Sequence, residues 1–171
     1  MKKIVPLLLL SALLFPFCKA TKYTPDKLPA HQLIFGDGGG FAGIETSYTL
    51  LDNGQVFKQT GMSGAFQELK PIHRKQAKAF FEKANALHLY KLDIDKPGNL
   101  YYFIREITAQ LDSKVTWGAG DYLPPQSLVF LYKDLATLVR DREVIGAGQK
   151  AALTEEEKEK QEQKKKDNLG W

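Results

Sequence analysis

Hydrophobic and polar positions along the chain follow two different periods, and the switches between them mark the expected elements. Leu33 to Gly36 reads as a short strand. From Ile44 to Leu51, β-branched and aromatic residues alternate with polar ones, and the alternation resumes from Gln55 to Gln59. Between the two lies Asp52-Asn53-Gly54, and an Asn-Gly pair flanked by alternating residues is a strong hairpin signal. Phe66 to Leu69 adds a further short strand. The period then lengthens: over 74–89, Ala77, Phe80, Phe81, Ala84, Leu87 and His88 fall on one helical face, with lysines opposite.

A turn at Pro97-Gly98 leads into 100-LYYFIREITAQL-111 and 112-DSKVTWG-118, which read as a second hairpin. Pro124-Pro125 opens a last helix, whose apolar face is Leu128, Leu131, Tyr132, Leu135, Leu138 and Val139. Strands joined by short turns, then a helix, then strands and a helix again, predict an α+β fold. We expect an antiparallel sheet of about five to six strands with two amphipathic helices packed on one face. Both halves share a hairpin-then-helix rhythm without a sequence repeat.

Neither end of the chain fits this pattern. Lys2 and Lys3 precede the 14-residue apolar run Ile4–Phe17, which is shorter than the ~20 residues a membrane-spanning helix needs. A charged start, a short apolar run and small residues after it read as an export signal over residues 1–20. Two routes stay open: cleavage after Ala20, or lipidation of Cys18, the one cysteine in the chain. Phe17 directly before Cys18 departs from the small residue usual in a lipidation site. With a single cysteine, no intramolecular disulfide forms and the core must hold the fold.

Export changes the meaning of the charge. Lys2, Lys3 and Lys19 are three of the 24 basic residues, so removing 1–20 leaves 21 against 20 acidic ones, a net of +1. That excludes a basic footprint for nucleic acid. Residues 21–31, with two prolines and mixed charge, read as an N-terminal arm or tether, and 32–150 as a single domain. Residues 151–171 break the composition: no apolar residue occurs between Thr154 and Asn168. Glu156/Lys160 and Glu162/Lys166 stand at helical i,i+4 spacing, so the segment reads as a solvated helical or disordered tail without a face to dock.

Several fragments imitate known sites and fail on context. Gly38-Gly39-Gly40-Phe41-Ala42-Gly43 is a literal G-x-G-x-x-G. A dinucleotide site needs a helix after the third glycine, and a strand pattern follows here instead. The glycines therefore predict a tight turn with backbone passing close to a neighbour. Asp93 to Gly98 resembles the start of a calcium loop, but the twelfth place holds Ile104 where a bidentate Glu belongs. Gly61-Met62-Ser63-Gly64-Ala65 approaches G-x-S-x-G and lacks the last glycine. His31, His73 and His88 show no metal-ligand spacing, and no cofactor is called for.

One cluster points to binding. Tyr101, Tyr102, Phe103, Trp117, Tyr122 and Pro124-Pro125 fall close together around the second hairpin. Alternation puts Tyr101 and Phe103 on one face and Tyr102 on the other, so some rings face away from the helices. We take Gly38, Gly39, Gly40, Phe41, Gly43, Tyr102, Trp117 and Tyr122 as candidate binding residues. The pattern F-G-x-G-G-G-F then T-x-Y-x-L-x-x-x-G-x-x-F (Phe35 to Phe57), with K-P-G-N-x-Y-Y (Lys96 to Tyr102) and Trp117, resembles a family of small bacterial exported proteins and lipoproteins. That family has no established activity, so the resemblance implies only a fold and a compartment. The expectation is an exported cell-envelope protein, secreted or lipid-anchored, that binds an envelope protein, peptide or glycan without catalysis. It would meet a membrane only through a lipid on Cys18. The alternative is a small hydrolase-like enzyme using Asp37, Glu45 and Ser47.

Overall fold

The computed structural model describes residues 21–61 and 64–146. The expected signal with Cys18, the charged tail 151–171, and Met62 and Ser63 lie outside the described residues.

The elements run β1 (Gln32–Gly39), β2 (Thr46–Leu51), β3 (Val56–Thr60), β4 (Gln67–Leu69), α1 (Arg74–Ala86), a 3-10 turn (Leu89–Lys91), β5 (Asp95–Lys96), β6 (Leu100–Ile107), β7 (Asp112–Trp117), α2 (Gln126–Val139) and β8 (Val144–Gly146). The eight strands form one sheet in the order β5-β7-β6-β1-β2-β3-β4-β8. All neighbours are antiparallel except β5 with β7. The α+β class and the two helices agree with the pattern in the sequence. The strand number does not: the two outermost strands, β5 and β8, were missed. Each is two or three residues long, too short for alternation to register, and joins the sheet by backbone pairing alone.

Consecutive strands β1 to β4 build one half as a meander, and the β6–β7 hairpin adds to the free edge of β1. After β4 the chain must return to the far side of β1, and α1 carries it there. After β7, α2 carries it back to pair β8 with β4. Both helices therefore cover the same face. That face supplies Leu33, Phe35, Leu50, Val56, Leu69, Ile104, Val115 and Trp117 to the core. The helices meet it with Ala77, Phe80, Phe81 and Ala84 from α1 and Leu128, Leu131, Leu135 and Val139 from α2. These are positions on the two apolar stripes read from the sequence.

Helix α1 ends earlier than its pattern. His88 adopts a left-handed conformation (φ 49°) just beyond it, the role glycine or asparagine commonly takes at a helix end. The first hairpin turn forms at Asn53-Gly54, with Gly54 at φ 95° and the Asn53 side chain accepting from the Gln55 amide.

Residues 21–31 lie against the body and do not lead away from it. The buried Gln55 side chain accepts from the Tyr23 amide and donates to the Tyr23 carbonyl at 2.7 and 3.1 Å. Asn53 donates to the Thr21 carbonyl, and Lys22 pairs with Glu68 at 3.1 Å. Among the described residues no helix is long and apolar enough to cross a membrane.

Candidate functional site

The glycine stretch is mostly strand. β1 extends through Gly38 and Gly39, past the end expected at Gly36, because its glycines allow neighbouring chains to come unusually close. A Cβ on Gly36 would stand 2.1 Å from the Thr46 carbonyl oxygen, and one on Gly39 2.0 Å from the Asn99 carbonyl oxygen. Gly39, Gly40 and Gly43 have φ of 99°, 69° and 60°, which reverses the chain into β2. The Gly43 amide donates to the Gly40 carbonyl, closing this turn.

Three loops meet at this end of the sheet and are joined by backbone contacts. The Gly40 amide donates to the Asn99 carbonyl at 2.7 Å, and the Ala119 amide to the Lys96 carbonyl at 3.0 Å. Cβ atoms on Gly98 or Gly118 would stand 2.2 Å from the carbonyl oxygens of Gly118 and Leu100 respectively. From these joined loops large apolar side chains project into solvent: Phe41 fully, Leu123 at 93% and Leu100 at 61% of their full exposure.

The candidate aromatics sit just behind, on the helix side. The register places Asp37, Tyr102 and Trp117 side by side across β1, β6 and β7. Tyr132 of α2 covers them, with ring centroids 5.1 Å from Tyr102 and 5.5 Å from Trp117. Its hydroxyl donates to Asp37 at 3.4 Å. Burial, then the Asp37 charge, raise the Tyr132 and Tyr48 hydroxyls above the ordinary range of tyrosine, so both stay protonated. Trp117 is buried, Tyr102 is exposed at its edge, and Tyr122 is packed against the core. These rings belong to the helix-side core more than to an open platform.

Of the rings on the second hairpin, Tyr101 and Phe103 face away from the helices. They share the opposite face with Ile34, Gly36, Gly38, Ser47, Thr49, Gln59, Arg105 and Lys114. No helix covers this face, and a groove of about 510 Å³ runs over it, walled at one side by Leu28 of the N-terminal arm. Glycine shapes its floor. With no side chain at Gly38, the Tyr101 ring reaches across β1 and its hydroxyl donates to Glu45 at 3.0 Å. Burial and then this bond raise the Tyr101 hydroxyl above the ordinary tyrosine range, so it stays the donor. Lys114 lies 4.4 Å above the Phe103 ring and 3.9 Å from Glu45. Arg105 grips Asp112 through two hydrogen bonds, which hold the Asp112 carboxyl below and the Arg105 guanidinium above their usual ranges.

The hydrolase constellation does not come together. Asp37 is on the helix face, while Glu45 and Ser47 are on the opposite one. Asp37 meets Tyr132, and Glu45 meets Tyr101 and Lys114. Neither has a histidine or serine partner among the described residues. His31 pairs with Glu106, and His73 caps α1 by accepting from the Lys75 amide. In the calcium-like stretch, Asp95 and Lys96 are β5 and pair with β7. Compared with known protein families and with curated proteins, the chain matches none.

Of the candidate residues, Gly39, Gly40, Phe41, Tyr102, Trp117 and Tyr122 gather at the joined-loop end. Gly38 lies under Tyr101, and Gly43 borders the open-face groove. Sequence reading did not single out Arg105 and Lys114. The alternation Tyr101-Phe103-Arg105 carries the signal for Arg105, but its meeting with Lys114 of β7 depends on the hairpin register.

Proposed function

We propose that the protein is an exported, non-enzymatic binding module of the cell envelope, secreted or lipid-anchored, that presents the joined-loop end of its sheet to a partner protein. One observation carries this reading: Phe41, Leu100 and Leu123 are all exposed at the sheet end where three loops are joined through backbone, Phe41 and Leu123 on the loops and Leu100 at the start of β6. A cluster of unburied large apolar residues marks an interaction surface, and aromatic anchors near its centre supply most of the binding energy. Loops already locked lose little conformational entropy on docking.

The test is a photo-crosslinking residue placed at position 41 and, as control, at the exposed position 78 on α1 of the protein in its own cells. A discrete protein adduct is expected from position 41 and not from 78. Leu100→Ser with Leu123→Ser should remove it without lowering the melting temperature. Equal labelling from both positions, or an adduct indifferent to the double substitution, would overturn the reading.

A further inference from the structure

The open-face groove has a chemistry of its own, separate from the joined-loop end. Its floor consists of β1, β2 and β6, each paired on both sides, so their backbone groups are already bonded to neighbouring strands. A peptide could not add to them as a further strand. Whatever lies in the groove must be recognised by side chains.

Those side chains set the Tyr101 ring among polar groups, while Phe103 is buried beneath Lys114. Because Gly38 has no Cβ, the far end of the Tyr101 ring lies above it, 2.7 Å from where that Cβ would stand, and continues to Glu45 on the other side of β1. A ring that reaches from β6 across β1 to Glu45 lies along the sheet and lines the groove. Aromatic faces attract polarised C–H and N–H groups. Around it stand the Glu45 carboxylate, the Ser47 hydroxyl, the Arg105 guanidinium and the Lys114 ammonium.

The formal charges cancel within the wall: Lys114 faces Glu45 at 3.9 Å, and Arg105 holds Asp112. A charged ligand would have to break one of these pairs. A neutral hydroxyl group can instead add to them, accepting from the remaining N–H groups and donating to the remaining carboxylate lone pairs. The volume lies within the ~300–1,000 Å³ of small-molecule sites.

We propose that this groove binds a neutral, hydroxyl-rich chain, a glycan segment, with a sugar ring stacked on Tyr101 and its hydroxyls held by Glu45, Ser47, Arg105 and Lys114. This does not depend on a protein partner at the joined-loop end, and each can fail without the other.

The experiment is an amide-resolved NMR titration of the isotope-labelled protein. The probes are cello-, chito- and malto-oligosaccharides and, separately, a neutral peptide of serine, glycine and alanine. At least one glycan should give saturable shifts at Ser47, Tyr101 and Arg105. Tyr101→Leu, which keeps an apolar cover over Gly38, should weaken that glycan about tenfold or more while leaving core resonances in place. Should Tyr101→Leu disturb the fold, Lys114→Met replaces it, with weakening of several-fold expected. Absence of saturable shifts with all three glycans overturns the proposal. So does saturation by the peptide alone, or unaltered glycan affinity in the folded variant.

Discussion

At the scale of single residues, glycines that look equivalent in the sequence have different physical roles. Gly39 combines φ of 99° with a carbonyl oxygen 2.0 Å from where a Cβ would stand. Gly43, at φ 60°, has nothing within 4 Å. Gly39→Ala therefore faces a left-handed backbone and a clash that no side chain can relieve, whereas Gly43→Ala faces the backbone cost alone. We expect losses of more than about 3 kcal/mol for Gly39→Ala and about 1 kcal/mol for Gly43→Ala in urea unfolding. Similar midpoints for the two variants would contradict this account.

Asp112 allows a prediction with pH. Its folded pKa is lowered first by the Arg105 hydrogen bond, so its contribution is full above the unfolded carboxylate value near ~4 and disappears as pH falls through the folded one. Both partners are close to half exposed, so screening keeps the contribution below about 1 kcal/mol. Asp112→Asn should lower stability slightly at neutral pH and flatten the loss below pH ~4, measured as urea midpoints against pH. High salt should shrink the difference between the two proteins.

At the scale of elements, the two helices are held by what they bury. Leu135 on α2 is fully buried against the sheet, while the Lys83–Asp134 pair joining the helices at 2.8 Å is more than half exposed on each side. Burial decides the comparison. Leu135→Ala should cost about 2–5 kcal/mol and Lys83→Ala less than about 1 kcal/mol, read from urea or thermal unfolding. Element type was legible wherever a long segment had one wet and one dry side. That holds for α1, α2 and the strands around Asn53-Gly54. It fails at β5 and β8, whose placement comes from partners far away in sequence. It fails also at the end of β1, where Gly38 and Gly39 carry no side chain to show a period.

At the scale of the whole molecule, placing both crossovers on one face creates two different surfaces. The helix side absorbed Tyr102 and Trp117, candidates for an exposed binding face in the sequence, beneath Tyr132 of α2. The opposite side kept a groove that mixes residues from the arm, three sequence-early strands and the second hairpin. A prediction at this scale concerns the start of the chain. The intact mass of the processed protein, with its cell fraction, should correspond either to a soluble species starting at Thr21 or to a membrane species starting at acylated Cys18. A species retaining residues 1–17 would refute the export reading.

By itself the sequence determined the α+β class, the two buried helix stripes, the first hairpin and the strand, in place of a helix, after the glycine motif. Each of these follows from local period or turn chemistry, which lie within a few neighbouring residues. Only the tertiary structure decided which rings are covered, that Asp37 is parted from Glu45 and Ser47 by the sheet, and that Tyr101 lies over Gly38 beside Lys114. Those outcomes depend on strand order and register, and both are set by packing between segments dozens of residues apart.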